Sequence, residues 1–156
     1  MWEDDTLKDT FDTKGLDALI KAFSEEKPIG RIGVLGDGNP RKEGNSNAEI
    51  GAKHEFGDEK VPIRSWLRMP LIDHLQEALE NHGAFDQKAS KKVVREKTII
   101  PWLEKVMIVA EYVVIDAFAT SGFGKWKPSN MKYKKNHQTL VETQQLMRSV
   151  TTEVKE

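Results

Sequence analysis

Apolar residues recur in two rhythms along this chain, and each change of rhythm marks an element. After Thr13, a helix-capping residue type, Leu16, Leu19, Ile20 and Phe23 fall at i, i+3, i+4 and i+7, and Pro28 ends the run. Ile29 to Leu35 predicts a strand, with Ile32 and Val34 flanked by small or β-compatible residues. Ser46-Asn47-Ala48-Glu49 has the capping-box spacing, Glu49 and Lys53 make a favourable i,i+4 pair, and Gly57 is placed to stop that helix. Pro62 keeps its predecessor extended, so Val61 to Ser65 reads as a strand or an extended arm. Pro70 suits the first turn of a helix whose Leu71, Ile72, Leu75, Ala78 and Leu79 form one apolar face, closed by Gly83.

A polar stretch, Asp86 to Lys91, reads as a linker into the longest helical pattern, about Lys92 to Ala119, which Pro101 starts or kinks. The main stripe of that pattern is Ile99, Leu103, Val106, Ala110, Val113 and Ala117. Met107, Ile108, Val109, Tyr112, Val114 and Ile115 cover most of the remaining circumference. A helix apolar nearly all round is buried on more than one side. One sheet covers one side, and the rest of the chain or another subunit covers the other. Leu140 to Leu146 suits a short helix, and Val150, Thr152 and Val154 alternate as a final strand. The expected fold is α+β, a small antiparallel sheet packed against a long helix with additional short helices. Residues 1–27 are expected to form an acidic helical segment, and residues 28–156 a single domain.

Charge changes this picture at the two ends. The chain of 156 residues has a net charge of −1, which gives no global field for nucleic acid or an anionic membrane. The first 26 residues are nonetheless acidic, while Lys88 to Lys135 is basic. That polarity fits either two solvated faces or copies packed head to tail. Without cysteine there is no disulfide framework, thiol chemistry or cysteine-based zinc site. The acidic start, Met1 to Asp5, lacks the basic region of a secretory leader. Val106 to Ala119 is too short to span a bilayer and contains Glu111 and Asp116. The expected compartment is cytosol-like, or the inside of a particle.

Candidate chemistry is thin. His54-Glu55 would suit a metalloprotease helix only with a second histidine one turn on, where Asp58 stands instead. Gly36-Asp37-Gly38 follows a strand but lacks the Gly-Lys-Ser/Thr ending of a phosphate loop. No Ser-His-Asp order is evident among His54, His74, His82 and His137, and His74 and His82 are expected in solvent. No metal, cofactor or catalytic residue is therefore expected. The loop Gly36 to Asn45 has too little apolar area to order itself, and is expected to order against a neighbour. Lys125-Trp126-Lys127 and Lys132-Tyr133-Lys134-Lys135 interleave aromatics with cations, as single-strand binders and the lining of a DNA channel both do. Arg64, Trp66 and Arg68 alternate in an extended segment, where a docking face and plain packing fit equally well.

Two blocks carry a resemblance: Asn47-Ala48-Glu49-Ile50-Gly51-Ala52-Lys53-His54-Glu55-Phe56-Gly57, and Val61-Pro62-Ile63-Arg64-Ser65-Trp66-Leu67-Arg68. Arg31 to Leu35 precedes them, and Gly122-Phe123, Trp126-Lys127-Pro128 and Leu140 to Val150 come after them. In this order they resemble the neck, tail-completion or virion-morphogenesis proteins of tailed bacteriophages. The match runs over residues 30–154, and two departures stand in its last block. Glu142 replaces an aspartate, and Gln144 replaces a glycine, which puts a tight turn there in question.

The resemblance implies a non-enzymatic structural virion protein, located in the neck or tail and in the host cytoplasm during assembly. Such a protein forms a homo-oligomeric ring, sixfold by analogy, needed for tail completion and head–tail joining. A tail terminator or head-closure ring is the alternative, and a hydrolase or nucleic-acid-binding module lies further off. The implied partners are its own copies and neighbouring connector, head-closure, tail-terminator or tail-tube proteins. Genomic DNA passes nearby without sequence recognition, and no membrane is involved. Expected contact residues are Asn47, Glu49, His54, Glu55, Phe56, Arg64, Trp66 and Arg68, with Ile108, Val109 and Tyr112 on the long helix. Lys125, Lys127, Lys132, Lys134 and Lys135 are the candidates for a DNA-facing lining.

Overall fold

Residues 14–25, 27–35, 44–128 and 144–156 are described in the computed structural model. They form helices α1 (Lys14–Glu25), α2 (Asn47–Phe56), α3 (Arg68–Asn81), α4 (Gln87–Glu96), α5 (Ile100–Ala119) and α6 (Gln145–Arg148), with strands β1 (Ile29–Gly33) and β2 (Thr151–Lys155). The expected α+β architecture is what these elements make. The strands join the two ends of the described chain as an antiparallel pair, Ile29 opposite Lys155 and Gly33 opposite Thr151. Arg31 faces Glu153 across the ladder, at 3.6 Å. The sheet lies on α5, where the Thr152 hydroxyl donates to Glu111 at 3.2 Å. Gly30 allows this approach, because a side chain there would run into Met107.

Most of the circumference of α5 is covered by the chain itself. Val109, with Val106, packs against Leu75, Ala78 and Leu79 of α3 and against Ala84. Val114, Ala117 and Phe118 enter a second cluster with Trp66, Trp126, Leu146 and Val150. What stays open is a narrow stripe one turn apart: Ile108 at 53 % exposure, Tyr112 at 57 % and Ile115 at 37 %. After Ala119 the helix stops in a left-handed turn, with Ser121, Gly122, Phe123 and Gly124 all at positive φ. Only glycine fits at the second position, because a Cβ on Gly122 would collide with the Trp126 indole.

Several expectations need correction. The Asp86 to Lys91 stretch is not a linker: Asp86 caps α4 by accepting from the Ala89 N–H at 2.7 Å, so the expected long helix is two helices. Val93 alone is fully buried in α4, packed with Ala22 and Ile99, opposite a face of lysines. Pro101 stands in the first turn of α5, so of the two roles expected of it the start is the one seen. The strand after Pro28 ends at Gly33, and of the two forms expected of Val61 to Ser65 it takes the arm, with no strand partner among the described residues. Ile72 points outward, at 67 % exposure, away from the face formed by Leu71, Leu75, Ala78 and Leu79. On α1 the stripe of Leu16, Ile20 and Phe23 is half exposed, and Ala22 makes the buried contact.

Candidate functional site

The capping box that begins α2 is complete. The Ser46 hydroxyl accepts from the Glu49 N–H at 3.2 Å, and the Glu49 carboxylate accepts from the Ser46 N–H at 2.8 Å. Glu49 therefore turns back to its own cap, away from the expected pairing with Lys53. Gly57, at φ 73°, ends the helix. Asp58 then closes a tight turn, its Oδ1 accepting from the Lys60 and Val61 N–H groups at 2.8 and 2.7 Å. Those two bonds hold its carboxyl below the ordinary carboxylate range. The chain reverses, and the Arg64 N–H donates to the His54 carbonyl at 2.8 Å.

Glu55 sits where α2, the arm and α3 meet. It is 5 % exposed, and its two oxygens accept from the Ser65 hydroxyl at 2.6 Å and from the N–H groups of Trp66, Leu67 and Arg68 at 2.9, 3.0 and 3.1 Å. The Ser65 hydroxyl in turn accepts from the Met69 N–H at 2.9 Å. The first N–H groups of any helix lack partners within it, and they carry the positive end of its dipole. The position before α3 is Leu67, which has no capping side chain. A carboxylate from α2 supplies the cap instead, and Arg68 Nε lies 3.8 Å from it. Glu55, expected at a partner surface, is thus an internal tie between α2 and α3.

The arm is buried beside this tie. Trp66 is 4 % exposed and donates its indole N–H to the Gly51 carbonyl at 2.8 Å; a Cβ on Gly51 would stand 2.9 Å from the ring. Arg64 is also buried, with Nε donating to the Lys127 carbonyl at 3.2 Å and Nη2 reaching the Pro128 carbonyl at 3.5 Å. Burial draws its guanidinium below the usual arginine range. Trp126 donates to the Ser65 carbonyl at 3.1 Å, and the Phe118 ring sits 5.7 Å from both Trp66 and Trp126. Between packing and docking for the alternating Arg64, Trp66 and Arg68, the first two pack and only Arg68 faces solvent.

The proposed contact residues thus divide. Asn47, Glu55, Arg64, Trp66 and Val109 are interior, and their side chains offer no surface to a partner in this conformation. Glu49, Phe56, Arg68, Ile108 and Tyr112 are exposed, and His54 is half buried. Phe56 and Arg68 come together, the guanidinium 5.9 Å from the ring centroid. Ile63, at 66 % exposure, is a further exposed residue of the second block and was not among the expected residues; its place after Pro62 was the available signal.

Compared with protein-family models, with curated proteins and with solved structures, the chain matches none.

Of the expected cationic lining, Lys125 is tied to Asp73 at 2.7 Å, which holds that carboxyl below its ordinary range, and Lys127 is exposed. Lys132, Lys134 and Lys135 lie outside the described residues, as do Gly36 to Glu43 and most of the block from Leu140. His74 is not in solvent: its ring lies 3.8 Å from that of Phe123, and its Nε2 is buried without a hydrogen bond. His82 stacks on Tyr112 at 5.8 Å. Among the described residues no three histidine or acidic side chains gather to hold a metal ion, and no helix is long and apolar enough to cross a membrane. Gln144, where the resembled block has glycine, takes a left-handed conformation itself, at φ 51°.

Proposed function

We propose that this chain is a non-enzymatic structural subunit of a tailed-phage virion, assembled as a ring at the neck or the head-proximal end of the tail. One observation carries the reading. Some residues from each of the blocks that bear the resemblance, though separated along the chain, meet in one buried knot. Gly51 and Glu55 of the first block, Ser65 and Trp66 of the second, Gly122 and Trp126 of the third, and Leu146 of the last are linked by a continuous run of pairwise contacts. The blocks therefore share one core around Trp66 and Trp126, which supports reading them together as one unit. The knot holds side chains in place and presents no cleft of converging nucleophile, base and oxyanion donors.

The exposed stripe of Ile108, Tyr112 and Ile115 supports self-association, because a head-to-tail contact that closes on itself makes a ring. In this reading the stripe is the subunit contact, sixfold by analogy with the resembled family. The neighbours are connector, head-closure, tail-terminator or tail-tube proteins, with DNA passing through without sequence recognition. Native mass spectrometry of the purified chain, followed by its addition to tails or heads lacking this component, tests the proposal. A ring that restores infectious particles is expected. A strict monomer that binds neither heads nor tails overturns it.

A further inference from the structure

A groove of about 1000 Å³ runs between α4 and α5, away from the knot around Trp66. Its α4 wall carries Lys88, Lys91, Lys92 and Arg95, at i, i+3, i+4 and i+7, so four cations share one helix face. Like charges at this spacing oppose the helix that presents them. Arg95 has Glu96 at 3.1 Å, whereas Lys88, Lys91 and Lys92 make no ion pair among the described residues. Two acids line the groove as well: Asp86, whose carboxylate is engaged in capping α4, and Glu104 on the α5 wall beside Lys105, so the lining holds five cations against these two. Pro101 and Trp102 supply an apolar floor. A fitting occupant combines several acids with a few large apolar groups.

The chain has such a segment at its own start. Residues 1–13, which lie outside those described, contain Glu3, Asp4, Asp5, Asp9 and Asp12 against Lys8, with Trp2, Leu7 and Phe11 between them. They lead straight into α1, which packs along α4: a Cβ on Gly15 would stand 3.5 Å from Val94, and Ala22 is buried against Val93. Thirteen extended residues reach roughly 45 Å, and the ten residues of α4 span about 15 Å. Tethering so close to the groove gives the segment an effective concentration that a free peptide does not have.

We propose that the α4–α5 groove is the docking site of the chain's own acidic N-terminal segment, residues 1–13, which neutralises the lysine face. A single-stranded nucleic acid would meet the same cations but lacks a stacking platform. Trp102 already has the rings of Phe23 and Phe85 against it, at 5.7 and 5.6 Å.

Carbodiimide coupling of an equal mixture of unlabelled and nitrogen-15-labelled full-length protein tests this. Mass spectrometry is expected to find Asp4, Asp5 or Asp9 joined to Lys88, Lys91 or Lys92, always within one isotope class. Absence of these links overturns the proposal, and mixed-isotope links overturn it in favour of a second copy's segment. A labelled oligothymidylate serves as probe in a second measurement. The full chain carrying Asp4→Asn, Asp5→Asn, Asp9→Asn and Asp12→Asn is expected to bind it roughly tenfold more tightly than the unaltered chain. Adding Lys91→Glu and Lys92→Glu is expected to remove that gain. A control with the same change of net charge, at Glu59, Glu77, Asp116 and Glu156, is expected to gain about twofold at most. Equal binding by the unaltered and neutralised chains overturns the proposal, as does an equal gain in the control.

Discussion

Glu55→Gln keeps the shape of the side chain, removes its charge and turns one of two acceptors into a donor facing donors. The Ser65 hydroxyl and three backbone N–H groups then share one oxygen. The expected loss is about 2–4 kcal/mol, read as a lower urea midpoint with an unchanged slope. Asp58 and Asp73 act more weakly, at the surface, and through pH. Both have folded-state pKa values below the ordinary 3.8, from the Lys60 and Val61 N–H bonds and from the Lys125 pair respectively. A depressed carboxyl contributes stability that is complete above its unfolded value and is lost as pH falls through the folded one. Stability should therefore drop below about pH 4, and Asp58→Asn and Asp73→Asn together should flatten that drop in urea titrations at successive pH values. Gln144 stands at φ 51° without the freedom of glycine. Gln144→Gly is expected to stabilise by about 0.5–1 kcal/mol, despite the loss of the exposed Arg148 bond, and thermal unfolding measures it.

At the level of elements, neighbouring positions on α5 have opposite expected behaviour. Val109 is 3 % exposed against α3, so Val109→Asp leaves an unpaired charge in the core and should cost roughly 4 kcal/mol or more. Ile108 is in solvent, so Ile108→Asp should leave circular dichroism unchanged and stability within about 0.5 kcal/mol of the parent, and should abolish the self-association proposed above. The sequence pattern could not separate these two residues, because both belong to a helix that is apolar nearly all round. Which side is covered depends on where α3 and the sheet dock. Local devices were readable: the Ser46–Glu49 capping box, the Gly57 stop and Pro70 in a first turn each involve residues within a few positions of one another. The second half of α4 was read as helix but joined to α5, and its first turn was missed because Gln87 to Lys91 is almost wholly polar; the Asp86 cap was the signal that could have placed its start.

Across the whole molecule, the candidate site was legible as a string of residues but not as a structure. Nothing near Glu55 in the chain indicates that its carboxylate caps a helix beginning more than ten positions later. Nor does Trp66 announce that its neighbours include Leu146. These are long-range contacts, and they make the folded state cooperative: α2, the arm, the end of α5 and α6 close on one another.

The arm has a consequence for how the molecule exchanges protons with water. Loops normally give up their amide protons quickly, since small local openings expose them. Here the N–H groups of Trp66 and Leu67, in a segment with no strand partner among the described residues, end on a carboxylate that is 5 % exposed. No local motion releases them without separating α2 from α3. In hydrogen–deuterium exchange these two amides should therefore be among the slowest in the protein, matching the middle of α5. With Glu55→Gln they should become fast while α5 stays slow, so the most protected stretch of irregular backbone would become the place where opening begins.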